Sequence, residues 1–183
     1  MIPLSSCPVP HLQTEWEWDT FIAHFYSGHN RPNILEIGSF YGATLWSFIV
    51  NNPNLQKIVS VDLPIPPSDG RYQTMVESRK LWNTWSDKIV ELIGDSHTKE
   101  MVGKTSKEFP NKDVDVLLID GDHSYNGVKQ DYLYYSSLVK KGGLIVFHDS
   151  VGYDTVAKFV KEIKTNGIEI NQKGGWGLYI QEK

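Results

Sequence analysis

The chain has 183 residues, 40% hydrophobic and 22% charged, a composition that suits one globular domain with a substantial core. Its net charge of −4, with no lysine–arginine cluster, argues against nucleic acid as a partner, because phosphate neutralisation needs a basic face. A single cysteine, Cys7, excludes an internal disulfide and points to a reducing, cytoplasmic setting. The apolar runs are too short to cross a membrane, and the amino terminus lacks the pattern of a signal peptide.

Residues 1–12, with Pro3, Pro8 and Pro10, read as an extended arm. Thr14-Glu15-Trp16-Glu17 has the form of a capping box, with Thr14 as N-cap and Glu17 three residues on. The helix it opens carries Trp18, Phe21, Ile22 and Phe25 on one apolar face and ends at Gly28. Residues 1–30 thus form an arm and helix expected to lie across the main domain, 31–183, over a site or against a second copy of the chain.

A repeated rhythm follows: short apolar run, turn, helical pattern. The runs Asn33–Ile37, Ile58–Val61, Ile89–Ile93, Val114–Ile119 and Leu144–Phe147 lack polar alternation, as parallel strands buried on both faces do. Helices are expected at about 43–51, 71–86, 96–107, 126–139 and 153–166. The Pro-rich stretch Leu63–Gly70 can be neither helix nor central strand and is long enough for a lid. Near the carboxyl end, Ile168–Asn171, Lys173-Gly174-Gly175 and Trp176–Ile180 read as strand, turn and returning strand. The expected fold is an α/β, Rossmann-like, doubly wound and mostly parallel sheet closed by an antiparallel hairpin.

In such sheets ligands bind beyond the carboxyl ends of the strands. Strand one runs into Glu36-Ile37-Gly38-Ser39-Phe40-Tyr41-Gly42, where the glycines permit a tight turn. Strand two ends in Asp62, strand three in Gly94-Asp95-Ser96, strand four in Asp120-Gly121-Asp122-His123, and strand five in His148-Asp149-Ser150. Each feature has a plainer reading. The glycine turn is common, and Asp62 can simply start the Pro-rich loop. Asp95-Ser96, and Asp120 with Asp122, can cap the following helices, and His148 can be a core histidine. Trp82 and Trp85 read as core. One acid delivered per strand to the same edge is what favours a site.

The stretch 35–44, Asp62, the GDS at 94–96, LLIDGDHSYNGVKQDY at 117–132 and LVKKGGLIVFHDS at 138–150 together resemble class I S-adenosylmethionine-dependent methyltransferases. The likeness is greatest to the small O-methyltransferase-like branch with macrolide-sugar methyltransferases and cephalosporin-hydroxylase-like proteins. It implies a seven-stranded sheet with a reversed last strand. It implies that Glu36, Gly38 and Ser39, with Tyr41 and Gly42, line the methionine end of S-adenosylmethionine, that Asp62 holds the ribose, and that Asp95 and Ser96 face the adenine. Asp120 would touch the cofactor and, with Asp149 and His148, hold a divalent cation, magnesium or manganese. Asp120 and His123 would be catalytic, His123 as base. Two departures bear on the metal: His148 stands where the sugar enzymes have an acid, and Ser150 where the catechol-type enzymes have Asn.

The expected partner is a small hydroxylated acceptor. A nicotinamide-dependent oxidoreductase is the competing enzyme class, and the loop lacks the third spaced glycine of G-x-G-x-x-G. A non-catalytic cofactor-binding module and a metal-dependent hydrolase using Asp120, His123, His148 and Asp149 complete the alternatives.

Overall fold

A computed structural model describes residues 1–163 and 166–183. Seven strands form one sheet: β1 (Asn33–Ile37), β2 (Lys57–Asp62), β3 (Ile89–Ile93), β4 (Val114–Ile119), β5 (Val139–His148), β6 (Ile168–Ile170) and β7 (Leu178–Glu182). Their order is β3-β2-β1-β4-β5-β7-β6, parallel from β3 through β5, with β7 antiparallel to both of its neighbours. The helices are α1 (Glu15–Phe21, continued by a π-helical turn Ile22–Tyr26), α2 (Ala43–Val50), α3 (Tyr72–Trp85), α4 (Lys99–Glu108), α5 (Tyr125–Tyr135) and α6 (Asp154–Glu162). The end of the helix expected over 153–166 falls partly on residues 164 and 165, outside the described residues.

Alternation along the strands builds two cores. Ile34, Ile58, Val116, Leu118, Leu144, Val146 and Ile180 face α1, α2 and Trp82 of α3. Leu35, Val59, Leu117, Ile119, Ile145, Phe147 and Tyr179 face Met101 of α4, Val128 and Tyr135 of α5, and Phe159 of α6. The near-continuous hydrophobicity of β1 and β4 follows from burial on both faces.

Two element starts and one cap differ from expectation, each for a physical reason. β5 begins at Val139 rather than Leu144, because the exposed Lys140-Lys141 and a register irregularity between Val114 and Val116 disguise its first half. α4 begins at Lys99, since Thr98 rather than Asp95 or Ser96 caps it by accepting the Met101 amide at 3.2 Å. The capping box does not form: Thr14 precedes α1 without a side-chain capping bond, and Glu17 is buried elsewhere. The apolar face of α1 packs on the chain's own sheet, with Trp18, Phe21 and Ile22 wholly buried. It is the arm before it that borders the cleft. Among the described residues, no helix is long and apolar enough to cross a membrane.

Candidate active site

Strand order reverses direction between β1 and β4, and the loops leaving them part to open a cleft of about 1000 Å³. Gly38 (φ 89°) sits at its floor, where a Cβ would lie 2.2 Å from the Asp120 carbonyl oxygen. Only glycine lets the β1 and β4 loops approach so closely. Gly42 (φ 86°) serves packing instead: a Cβ there would meet Trp82 Nε1 at 2.2 Å, and that indole donates to the Tyr41 carbonyl at 2.9 Å.

Gly38, Ser39, Tyr41, Asp62, Asp95, Ser96, Asp120, His123, His148 and Asp149 all line the cleft, whereas Glu36 and Gly42 lie behind its wall. Glu36 is fully buried, accepting from Ser39 Oγ at 3.0 Å and from Thr44 Oγ1. Burial pushes its carboxyl up to about 8, only partly offset by those two hydroxyls. Ser60 Oγ donates to Ser39 Oγ at 2.7 Å, so Glu36 holds the turn from beneath.

Asp62 ends β2 as expected and accepts the amides of Phe40 and Leu63, both at 2.8 Å. It also pairs with Arg79 Nη2 at 3.0 Å, a partner on α3 that the sequence did not indicate. Burial raises the Asp62 pKa, with Arg79 working against it. Asp95 is half exposed and accepts the His97 amide at 2.8 Å, while the Ser96 hydroxyl donates to Asp131 at 2.7 Å. Asp131, fully buried on α5, also has His97 Nε2 at 3.2 Å, and burial lifts its pKa to about 6. His97 and Asp131 carried no sequence signal, for an acid on an expected amphipathic helix reads as solvated.

At the β4 and β5 ends two carboxylates and two imidazoles interleave. His123 Nε2 is 2.7 Å from Asp149 Oδ2 and 3.4 Å from Asp120 Oδ1. His148 Nδ1 is 3.1 Å from Asp149 Oδ1 and 3.3 Å from Asp120 Oδ1, yet makes no well-directed hydrogen bond there. Bonds to Asp120 and Asp149 raise His123 to about 9. Burial opposes a charge on His148, but the same carboxylates outweigh it and lift this histidine to about 10. Burial likewise opposes ionised Asp149, and the histidines overcome it to hold the acid near 2. Asp149 has φ 61°, a left-handed conformation that aims its side chain back into the cluster. Asp120, His123 and Asp149 offer ligand atoms within 4.8 Å of one another. His148, expected as a ligand, stands behind this trio between the carboxylates. Neither Asp120 nor Asp122 is the helix cap, since Ser124 takes that position by accepting the Gly127 amide.

Three further lining features came from outside the strand ends. Gln13 Nε2 donates to Asp120 Oδ2 at 3.3 Å, tying the arm to the cluster. Tyr153 stacks on His123 at 4.4 Å, and Trp176 stacks on Tyr153 at 5.9 Å. The Tyr125-x-x-x-Lys129 spacing, of the kind some oxidoreductases use, lies outside the cleft, with the Tyr125 hydroxyl donating to Glu162 at 2.5 Å.

A Rossmann-like sheet with a reversed β7, a glycine turn after β1 and an acid ending each of β2, β4 and β5 defines a methyltransferase-type domain. Residues 35–150 match the family model described as a methyltransferase domain, and the chain belongs to that family. It is 30% identical over 142 residues to uncharacterized protein R132 of Acanthamoeba polyphaga mimivirus, covering 73% of this chain and 62% of that protein. The chain thus spans under two thirds of this relative's length. Its fold is similar to that of methyltransferase PaMTH1 from Podospora anserina, solved with S-adenosylhomocysteine bound (TM-score 0.64, 14% identity, 94% of this chain and 80% of that one). It is also similar to the O-methyltransferase TomG from Streptomyces achromogenes, solved with S-adenosylmethionine (TM-score 0.61, 13% identity, 90% and 76%).

Proposed function

We propose that the chain is an S-adenosylmethionine-dependent O-methyltransferase acting on a hydroxyl of a small molecule. The observation that carries this reading is the division of one cleft into two chemically different ends. The Gly38–Tyr41 turn, Asp62, Asp95 and Ser96 line the β1–β3 end, and Asp120, His123, His148 and Asp149 line the β4–β5 end. Family membership and the two cofactor-bound structures of the same fold support it.

On this reading Asp62, already fixed by Arg79 and two amides, presents the lone pair left on Oδ1 to the ribose hydroxyls. Ser39 and the turn amides face the methionine end, and Asp95 with Ser96 faces the base. Methyl transfer is an in-line displacement in which the hydroxyl oxygen attacks the sulfonium methyl and the hydroxyl loses its proton. Orientation of the two reactants supplies much of the rate. His123, facing the cleft beside Asp120, takes the proton in its neutral form, so turnover rises with pH as the ring loses the charge that Asp120 and Asp149 hold on it.

Asp120, His123 and Asp149 offer ligand atoms within 4.8 Å of one another; the two carboxylates fit magnesium or manganese as holders, and His123 beside them is left as the base. When bound, such an ion would lower the pKa of a neighbouring hydroxyl and balance the carboxylates that otherwise keep His123 protonated.

Transfer of labelled methyl from S-adenosylmethionine to a panel of sugar and phenol hydroxyls, with and without chelator, tests the reading. Label in a hydroxyl acceptor supports it. A stable complex with a nicotinamide dinucleotide and none with S-adenosylhomocysteine overturns it.

A further inference from the structure

Glu17 lies on the first turn of α1, yet its side chain is 1% exposed. Three backbone amides satisfy the carboxylate: Gln172 donates to Oε1 at 2.9 Å, and Trp176 and Gly177 donate to Oε2 at 3.2 and 3.0 Å. A buried acid needs such donors, and here all of them come from the turn between β6 and β7. That turn wraps the carboxylate so tightly that a Cβ on Gly175 would lie 2.1 Å from Glu17 Oε1.

The turn carries Trp176. Its carbonyl accepts the Val151 and Gly152 amides, both at 2.9 Å, and its ring lies on Gly152, where a Cβ would come within 2.3 Å. Trp176 and Tyr153 are 43% and 40% exposed, and their rings are 26° from parallel. Tyr153 lies 21° from parallel with His123. The three rings therefore run along the cleft wall and end at the carboxylate cluster. Large aromatic faces left open beside a cleft are contact surfaces for a ligand. They stand at the β5–β7 end, across the sheet edge from Asp62 and Asp95, and exposed Leu12 of the arm adds apolar surface to the lining. Among the described residues, Arg71 is the one lysine or arginine lining the cleft, and it sits over Phe40, whose amide binds Asp62 at the other end.

We propose that Tyr153 and Trp176 form the stacking wall that seats an uncharged, hydroxyl-bearing ring of the acceptor, and that Glu17 is the positioning residue that sets this wall by gathering the turn around its carboxylate. The inference rests on the methyl-transfer reading. A phenol ring and the C–H face of a sugar offer the same flat, uncharged surface.

The test uses the full chain saturated with S-adenosylhomocysteine and ligand-observed NMR titration with three probes: catechol, methyl glucoside and glycerol. Wild type is expected to bind one of the two rings, which tells phenol from sugar, and not the acyclic triol. Trp176→Ala weakens ring binding about three- to tenfold, Trp176→Phe restores most of it, and S-adenosylhomocysteine affinity holds in both. Glu17→Gln places an amide NH2 against backbone donors and weakens the ring by a similar factor. The Glu17→Gln/Trp176→Ala double variant is no worse than Trp176→Ala, because one residue acts through the other. If Trp176→Ala does not fold, Tyr153→Ala reports on the wall. If Glu17→Gln does not fold, Gly175→Ala presses on the same carboxylate. Ring binding unchanged in the wall variants, or absent from wild type, overturns the wall. Ring binding unchanged in Glu17→Gln overturns the role of Glu17. Failure of wild type to bind S-adenosylhomocysteine removes the methyl-transfer reading, and the wall with it.

Discussion

His123 Nε2 and Asp149 Oδ2 stand 2.7 Å apart, joining the turn after β4 to the end of β5. With Asp120 they make the place where a cation and two protons compete for the same donors. Calorimetric titration with manganese is expected to show one site in wild type, with proton release as the histidines give up their charge. Asp120→Asn and Asp149→Asn should each weaken the site at least about tenfold, since each removes a charged oxygen ligand. Equal uptake by wild type and both variants would leave the cluster a set of ion pairs.

His123→Ala should fold and keep S-adenosylhomocysteine affinity, losing some stability at neutral pH because Asp149 and Asp120 lose a paired charge, while slowing turnover on a genuine acceptor about 10²–10⁴-fold. The side chain is partly exposed to the cleft and packs on Tyr153 rather than in the core. Wild-type turnover in the variant would remove the assignment of the base.

Glu36 links the glycine turn to pH. Burial holds its folded-state pKa at about 8, above the ordinary 4.5, so the folded chain binds a proton that the unfolded chain has released between those values. Stability contributed by this group is therefore full below about pH 4.5 and is lost as pH rises toward 8, with a slope near 1.4 kcal/mol per pH unit. Glu36→Gln should flatten that part of the profile in chemical denaturation. An unchanged slope in the variant would place the titration elsewhere.

A pair of the positive-φ glycines, Gly28 (80°) and Gly42 (86°), separates strain from packing. Nothing lies within 4 Å of a Cβ on Gly28, whereas Gly42 would drive one into Trp82. Gly28→Ala should cost about 1 kcal/mol from backbone strain alone, and Gly42→Ala about 2–4 kcal/mol. Equal losses in thermal unfolding would mean that the Trp82 contact relaxes freely.

The sheet was legible because β1 and β4 are buried on both faces and so form near-continuous apolar runs, while β3, at the sheet edge with Glu91 and Ile93 exposed, still shows as a short apolar stretch; all three match to the residue. The acids at the strand ends were legible because the topology fixes where strands stop. What escaped was every partnership made across the chain. Glu17 has the spacing of a capping box, and nothing local reveals that the turn at 172–177 competes for its carboxylate. Arg79 behind Asp62, Asp131 behind Ser96 and Gln13 on Asp120 are side chains of helices or the arm, where polar residues ordinarily meet water. β7 begins at Leu178, two residues later than its apolar pattern, because Trp176 and Gly177 are held in that same turn.

Binding of S-adenosylhomocysteine to the wild-type chain and to Asp62→Ala, measured side by side by isothermal calorimetry, decides whether the β1–β3 end of the cleft is a cofactor site. One site per chain is expected in wild type and at least about tenfold weaker binding in the variant, through loss of a charge-assisted hydrogen bond worth roughly 1.5–3 kcal/mol. Circular dichroism on the same samples should show Asp62→Ala folded, with Arg79 still paired to Glu91 at 2.8 Å in the parent geometry. No binding to wild type, or equal affinity in a folded Asp62→Ala, would contradict that assignment.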